Sequence, residues 1–187
     1  MKIVMCQRPS SGSTYARWVR ELILACQVVL VSEKGSKAAA ANEGYCTPVL
    51  VDRYDGNEFD EVLSATVRSG CDRIICNSED DVERVAAVRS RYSIPGMQLP
   101  LAQCFRDKYS MKSLFSAASL PDVGFSLVSS GQDVMGFLKE HGPSVLKPRG
   151  GAGAFGVHII RTADDADRLL HEQRIREELA GHMLIME

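Results

Sequence analysis

The run Val145-Leu146-Lys147-Pro148-Arg149-Gly150-Gly151-Ala152-Gly153-Ala154-Phe155-Gly156-Val157 gathers more chemistry-capable residues than any other stretch of this 187-residue sequence. Four glycines in seven residues, set between two aliphatic runs, describe a strand, a loop and a second strand. The loop amides can turn toward an anion with no Cβ in the way. Lys147, four residues before the second of these glycines, adds a compact positive charge suited to phosphate. The pattern is not a Walker A loop, which needs G-x-x-x-x-G-K-[ST] leading into a helix. On the loop alone, the plain alternative is a hairpin tip carrying one solvated lysine.

Some forty residues upstream, Arg106-Asp107-Lys108 opens a helix that continues through Met111-Lys112. An Ala-Ala-Ser-Leu-Pro turn and a strand then lead to the Lys147 hairpin. This order of motifs resembles the ATP-grasp superfamily over the whole chain. Residues 1–96 look like its small doubly wound preATP-grasp domain, 97–103 like a linker, and 104–187 like the ATP-binding lid subdomain. Ser78-Glu79-Asp80 after a strand, Ile94-Pro95-Gly96 and Phe105-Arg106-Asp107-Lys108 look most like the carboxylate-amine ligases that join amino acids.

The resemblance implies that ATP lies between two subdomains and passes its γ-phosphate to a substrate carboxylate. An amine or similar nucleophile then attacks the acylphosphate. Phosphoryl transfer between anions depends on cations and amide dipoles fixed around the oxygens. By resemblance, Lys108 and Lys147 are the cations, the amides of Gly151, Gly153 and Gly156 close over the β- and γ-phosphates, and the Glu187 carboxylate receives the adenine amino group. Asp107 reads as a helix N-terminal charge rather than a catalyst. Two positions depart from the family pattern: Ala154 and Phe155 stand where a serine and a small or polar residue are common, and Ser119 stands where a glycine often ends the helix.

The family's Mg²⁺ ligands lie in a C-terminal subdomain beyond the hinge. The acidic groups Glu79-Asp80-Asp81 and Asp164, Asp165 and Asp167 read instead as solvated helix starts. The expectation is therefore the first two subdomains of a ligase, inactive alone, either as a fragment or as half of a split enzyme. Its partners would be ATP, a C-terminal half or a second copy, and, in the parent enzyme, a small-molecule carboxylate. A non-catalytic nucleotide-binding or interaction module is the alternative. A Rossmann dehydrogenase, suggested by Glu33 at the end of the second strand, lacks G-x-G-x-x-G, since Gln7–Ser13 holds Gly12 alone.

The elements that must position these groups follow a βαβα rhythm, which predicts an α/β fold with a parallel sheet followed by a small α+β lid. Strands are expected at Lys2–Cys6, Val28–Val31, Pro48–Val51 and Arg73–Cys76. The first helix carries Tyr15, Trp18, Val19, Leu22 and Ile23 at helical spacing and lays its tryptophan on the sheet. Ser78 with Asp81 suggests a capping-box start for the next long helix. After Pro100 the rhythm changes to two helices. Strand Phe125–Val128, helix 131–140, strand Ser144–Lys147, strand Val157–Arg161, one helix from Thr162 to about Ala180 and strand Met183–Glu187 follow.

Composition is ordinary, at 45% apolar and 25% charged. Twenty-two basic against 24 acidic residues leave a net charge of −2, without long runs of either sign, which argues against nucleic-acid or membrane-surface partners. The start resembles no signal peptide, so the sequence reads as cytoplasmic. Its six cysteines, with no C-x-x-C pair, read as free thiols.

Overall fold

A computed structural model describes residues 1–187 except Leu24 and Ala152, so the glycine loop is described at every position but Ala152. The chain divides into two compact units, Met1–Ala102 and Gln103–Glu187.

In the first unit, β1 (Lys2–Cys6), β2 (Gln27–Glu33), β3 (Thr47–Val51) and β4 (Arg73–Cys76) form one parallel sheet in the order β3-β2-β1-β4. The central strands β1 and β2 are near-continuous aliphatic runs because both faces are covered. Between the strands run α1 (Tyr15–Leu22), α2 (Lys37–Ala41) and α3 (Asn57–Arg68), with α4 (Val82–Tyr92) after β4. On one face Val4, Cys6, Val29 and Val31 pack against Phe59, Leu63, Val67, Val85 and Val88. On the other, Met5, Val28 and Leu30 meet Ala16.

Three expectations for this unit are corrected. Helix α1 turns Ala16, not Trp18, onto the sheet; Trp18 is 49% and Leu22 84% exposed. A small residue permits close approach, and Asn42 enforces it by accepting from the Ala16 amide at 2.8 Å. Ser78 makes no side-chain cap; Glu79–Asp81 form a 3-10 turn before α4. Asp81 is not solvated but fully buried, accepting from the Tyr54 hydroxyl at 2.9 Å and pairing with Arg8 and Arg84. The Gln7–Ser13 loop is folded on itself, with the buried Gln7 amide donating to the Ser11 and Ser13 carbonyls.

Helix α5 (Leu99–Arg106) occupies most of the stretch expected as linker. Pro100 sits in its first turn, where a missing N–H costs no helical bond, so it lies inside the first of the two helices expected after it.

The second unit is built on an antiparallel sheet in the order β5-β8-β6-β7, with β5 (Ser126–Val128), β6 (Ser144–Pro148), β7 (His158–Ile160) and β8 (Leu184–Met186). Helix α6 (Lys108–Ala117) precedes it, and α7 (Gly131–His141), α8 (Ala163–Leu170) and α9 (Gln173–Ala180) connect its strands. Leu146, Ile160, Leu184 and Met186 form a core with Val134, Phe137, Leu169, Ile175 and Leu179. The single helix expected from Thr162 to Ala180 is two helices. Thr162 and Asp165 form a capping box at the start of α8, but Glu172 is extended and restarts the chain as α9. Ser119 follows α6 with φ 54°, in the left-handed conformation its glycine-like position requires, and Leu120 donates to the Phe115 carbonyl at 2.9 Å to close the helix end. All six cysteines are free thiols.

Candidate functional site

The strand alternation of β6 places Leu146 in the core and Val145 and Lys147 on the opposite face. Glu187 extends β8 by pairing with Val145, its amide donating to the Val145 carbonyl at 3.1 Å. This brings the Glu187 carboxylate, the Lys147 ammonium and the Lys112 ammonium from α6 together. Lys147 donates to Glu187 Oε1, and Lys112 reaches Oε2 at 2.9 Å. Lys112 also donates to Asp122 Oδ1 at 2.7 Å and lies 5.5 Å from the Phe125 ring centroid.

These ions are partly withdrawn from water. The Lys112 side chain is 8% exposed. Burial alone would raise the Glu187 carboxyl, but hydrogen bonds from Lys147 and Lys112 outweigh it and hold the group below its ordinary range. Lys112 is held above its usual range by Asp122 and Glu187, against a burial that would lower it. Lys112 belongs to the same helix as Lys108, one turn on, and the Met111-Lys112 run by itself gives it no site role. The i,i+4 spacing after Lys108 was the signal that could have revealed it.

The glycine loop joins β6 to β7 as a hairpin. Gly151, Gly153 and Gly156 have φ of 91°, 70° and 71°, and Ala154 joins them at 61°. At the three glycines no Cβ stands beside the backbone amide, which leaves room for an anion to approach. Gly156 is doubly constrained, because a Cβ there would stand 3.0 Å from Pro148 Cγ. Phe155 is 80% exposed at the tip.

Lys108 stands at the base of this loop. Its amide donates to the Arg149 carbonyl at 2.9 Å, and its ammonium donates to the carbonyls of Gly150 at 3.3 Å and Gly151 at 3.2 Å. Asp107 caps α6 by accepting from the Tyr109 amide at 3.0 Å and the Ser110 hydroxyl at 2.9 Å. Both its oxygens also accept from the Arg149 guanidinium, with Nε at 3.1 Å. Chiefly through that guanidinium, its carboxyl is pulled down to about 2. Lys108 and the Asp107–Arg149 pair thus fasten the loop's first half to the start of α6. Of the six residues picked out from the sequence, Lys147 and Glu187 are in contact, and Lys108 reaches Gly151. Gly153 and Gly156 lie further along the loop.

The ammonium groups and the glycine amides are of a chemistry that suits a polyphosphate, and the ionised carboxylate suits an amine donor. They do not suit Mg²⁺. Among the described residues no three His, Cys, Asp or Glu side chains converge, and both Glu187 oxygens already accept from lysines. Among the described residues no helix is long and apolar enough to cross a membrane.

No family model matches the chain, and no curated protein matches it significantly. Solved structures do. The ADP complex of an N5-carboxyaminoimidazole ribonucleotide synthetase aligns with a TM-score of 0.73 at 18% identity, covering 100% of this chain and 46% of that one. The biotin carboxylase domain of the Hydrogenobacter thermophilus 2-oxoglutarate carboxylase, in complex with MgADP, ADP and bicarbonate, aligns at 0.75 and 17% identity, covering 98% and 43%. The L-amino acid ligase from Bacillus licheniformis aligns at 0.65 and 14%, covering 100% and 43%. The chain thus spans less than half the length of the structures it matches. The likeness is one of fold: a parallel α/β unit followed by a smaller unit built on an antiparallel sheet.

Proposed function

We propose that the second unit binds ATP as the nucleotide-binding portion of an ATP-grasp carboxylate-amine ligase. The observation that carries this reading is the meeting of Lys147 and Glu187 beside a hairpin of left-handed residues. A phosphate-seeking cation, an acceptor for an exocyclic amine and a glycine loop beside them match the two ends of one nucleotide. In this reading Lys147 turns to the phosphates, the amides of Gly151, Gly153 and Gly156 line the β- and γ-phosphates, Lys108 sets the loop's height and supplies further positive charge, and Glu187 accepts from the adenine amine.

The reaction assigned to the parent architecture transfers the γ-phosphoryl group to a carboxylate oxygen, giving an acylphosphate and ADP. An amine then attacks the acyl carbon and expels phosphate. The chain's own contribution is charge placement, since fixed cations and dipoles stabilise such a transfer. The solved structures with the higher scores are an N5-carboxyaminoimidazole ribonucleotide synthetase and a biotin carboxylase domain with bound bicarbonate, so their likeness does not favour the amino-acid-joining subclass over its relatives. A C-terminal half or a second copy would complete the other side of the nucleotide site.

Calorimetry with ATP on the 187-residue chain and on Lys147→Ala tests this. A charge-assisted contact is worth about 1.5–3 kcal/mol, so the variant should bind roughly ten- to a hundredfold more weakly. Equal affinities would show that the hairpin is only a loop.

A further inference from the structure

Glu187 is paired with two lysines, one more than a carboxylate awaiting a ligand requires. If Lys147 serves the phosphates, it must give up Glu187 Oε1, and the partly buried carboxylate would then face a neutral amine with no cation beside it. An uncompensated carboxylate in such a place takes up a proton and stops being a good acceptor. Lys112 removes that difficulty. It holds the other oxygen, Oε2, at 2.9 Å, and its position is fixed from behind by Asp122 at 2.7 Å. Asp122 is itself fixed by the Val123 amide at 2.8 Å. Lys112 projects from a helix and is nearly buried, whereas Lys147 stands at the root of the glycine hairpin and is about twice as exposed.

We propose that Lys112 is a positioning residue of the nucleotide site: it is the counter-ion that stays with Glu187, keeping the carboxylate ionised and aimed, when Lys147 leaves for the phosphates. The inference rests on the ATP reading above and adds a residue to it. The two lysines divide the work, one mobile toward phosphate and one stationary beneath the base. Lys112, Asp122, Glu187 and Lys147 sum to zero charge while all four are together. After Lys147 is recruited, the remaining three carry a net negative charge directed at the amine donor.

The test compares Lys112→Met and Lys112→Arg with the wild-type chain, using ATP and inorganic tripolyphosphate as separate ligands. Removing the stationary cation should weaken ATP binding at least about tenfold while tripolyphosphate binding holds within about twofold, because only ATP presents the base. Lys112→Arg should keep most of the ATP preference. A parallel fall for both ligands would mean that Lys112 merely supports the fold, and unchanged ATP binding would overturn the inference while leaving the ATP reading intact. Absence of ATP binding by the wild type would overturn both. A readout independent of nucleotide is the carboxyl ¹³C titration of Glu187, whose midpoint should rise in Lys112→Met; an unmoved midpoint would also overturn the inference.

Discussion

Gly156 and Gly153 occupy the same hairpin with nearly the same φ, 71° and 70°, yet their surroundings differ. An alanine at either position must adopt the left-handed conformation, at roughly 1–2 kcal/mol, partly offset by about 0.5–1 kcal/mol because glycine loses more freedom on folding. At Gly153, among the described residues, no atom beyond the glycine and its chain neighbours lies within 4 Å of the added Cβ, so the cost ends there. At Gly156 the Cβ would stand 3.0 Å from Pro148 Cγ and 3.3 Å from Cδ. The proline ring belongs to β6 and cannot swing aside as a flexible side chain could, so overpacking adds about 1–3 kcal/mol. Gly156→Ala should therefore cost about 1–4.5 kcal/mol and Gly153→Ala under about 1.5 kcal/mol. Much of the larger cost should appear as opening of the hairpin, and ATP affinity should fall roughly fivefold or more for Gly156→Ala. Urea midpoints at constant slope and calorimetric ATP affinities for the two variants are the assay. Equal behaviour of the pair would refute the claim that Pro148 and the left-handed turn together shape the loop.

Two further outcomes follow from the loop's base and from the end of α6. The Asp107 carboxyl, pulled down to about 2 mainly by Arg149, contributes stability that is present above its unfolded value of about 4 and lost as the pH falls toward 2. The gap in urea midpoint between wild type and Asp107→Asn should thus shrink as pH drops through that window, and a constant gap would count against the ion pair. Ser119→Gly should raise stability by about 0.5–1 kcal/mol, since glycine relieves the strain at φ 54°; a lower thermal midpoint would show that the serine is favoured there for another reason.

Much of this architecture is legible in the residues, for reasons that also explain the misses. β1 and β4 are recognisable as short aliphatic runs because a parallel sheet buries both faces. The orientation of α1 is not, because its stripe of large apolar residues competes with Ala16, and close approach to the sheet selects the small residue. Asp81 has the look of a solvated helix start, but Tyr54, Arg8 and Arg84 arrive from distant parts of the chain and give it a buried setting. Burial lifts its carboxyl above the ordinary range in spite of them. The break between α8 and α9 has no glycine or proline to announce it. At the candidate site, Lys147 and the glycine loop stand out by composition alone. Lys112 does not, because a lysine in a helix is ordinarily solvated, and only the arrival of Glu187 and Asp122 from later strands and turns shows otherwise.

The central claim is that a nucleotide lies along the Lys147 hairpin with its base at Glu187. Backbone amide shifts of the ¹⁵N-labelled 187-residue chain, followed during titration with ATP, test it most directly. The account predicts saturable shifts at Gly151, Gly153 and Gly156, accompanied by movement of the Glu187 side-chain carboxyl signal as Lys147 departs. Shifts confined to residues of the parallel-sheet unit, or a titration that leaves those three glycines unmoved, would contradict it.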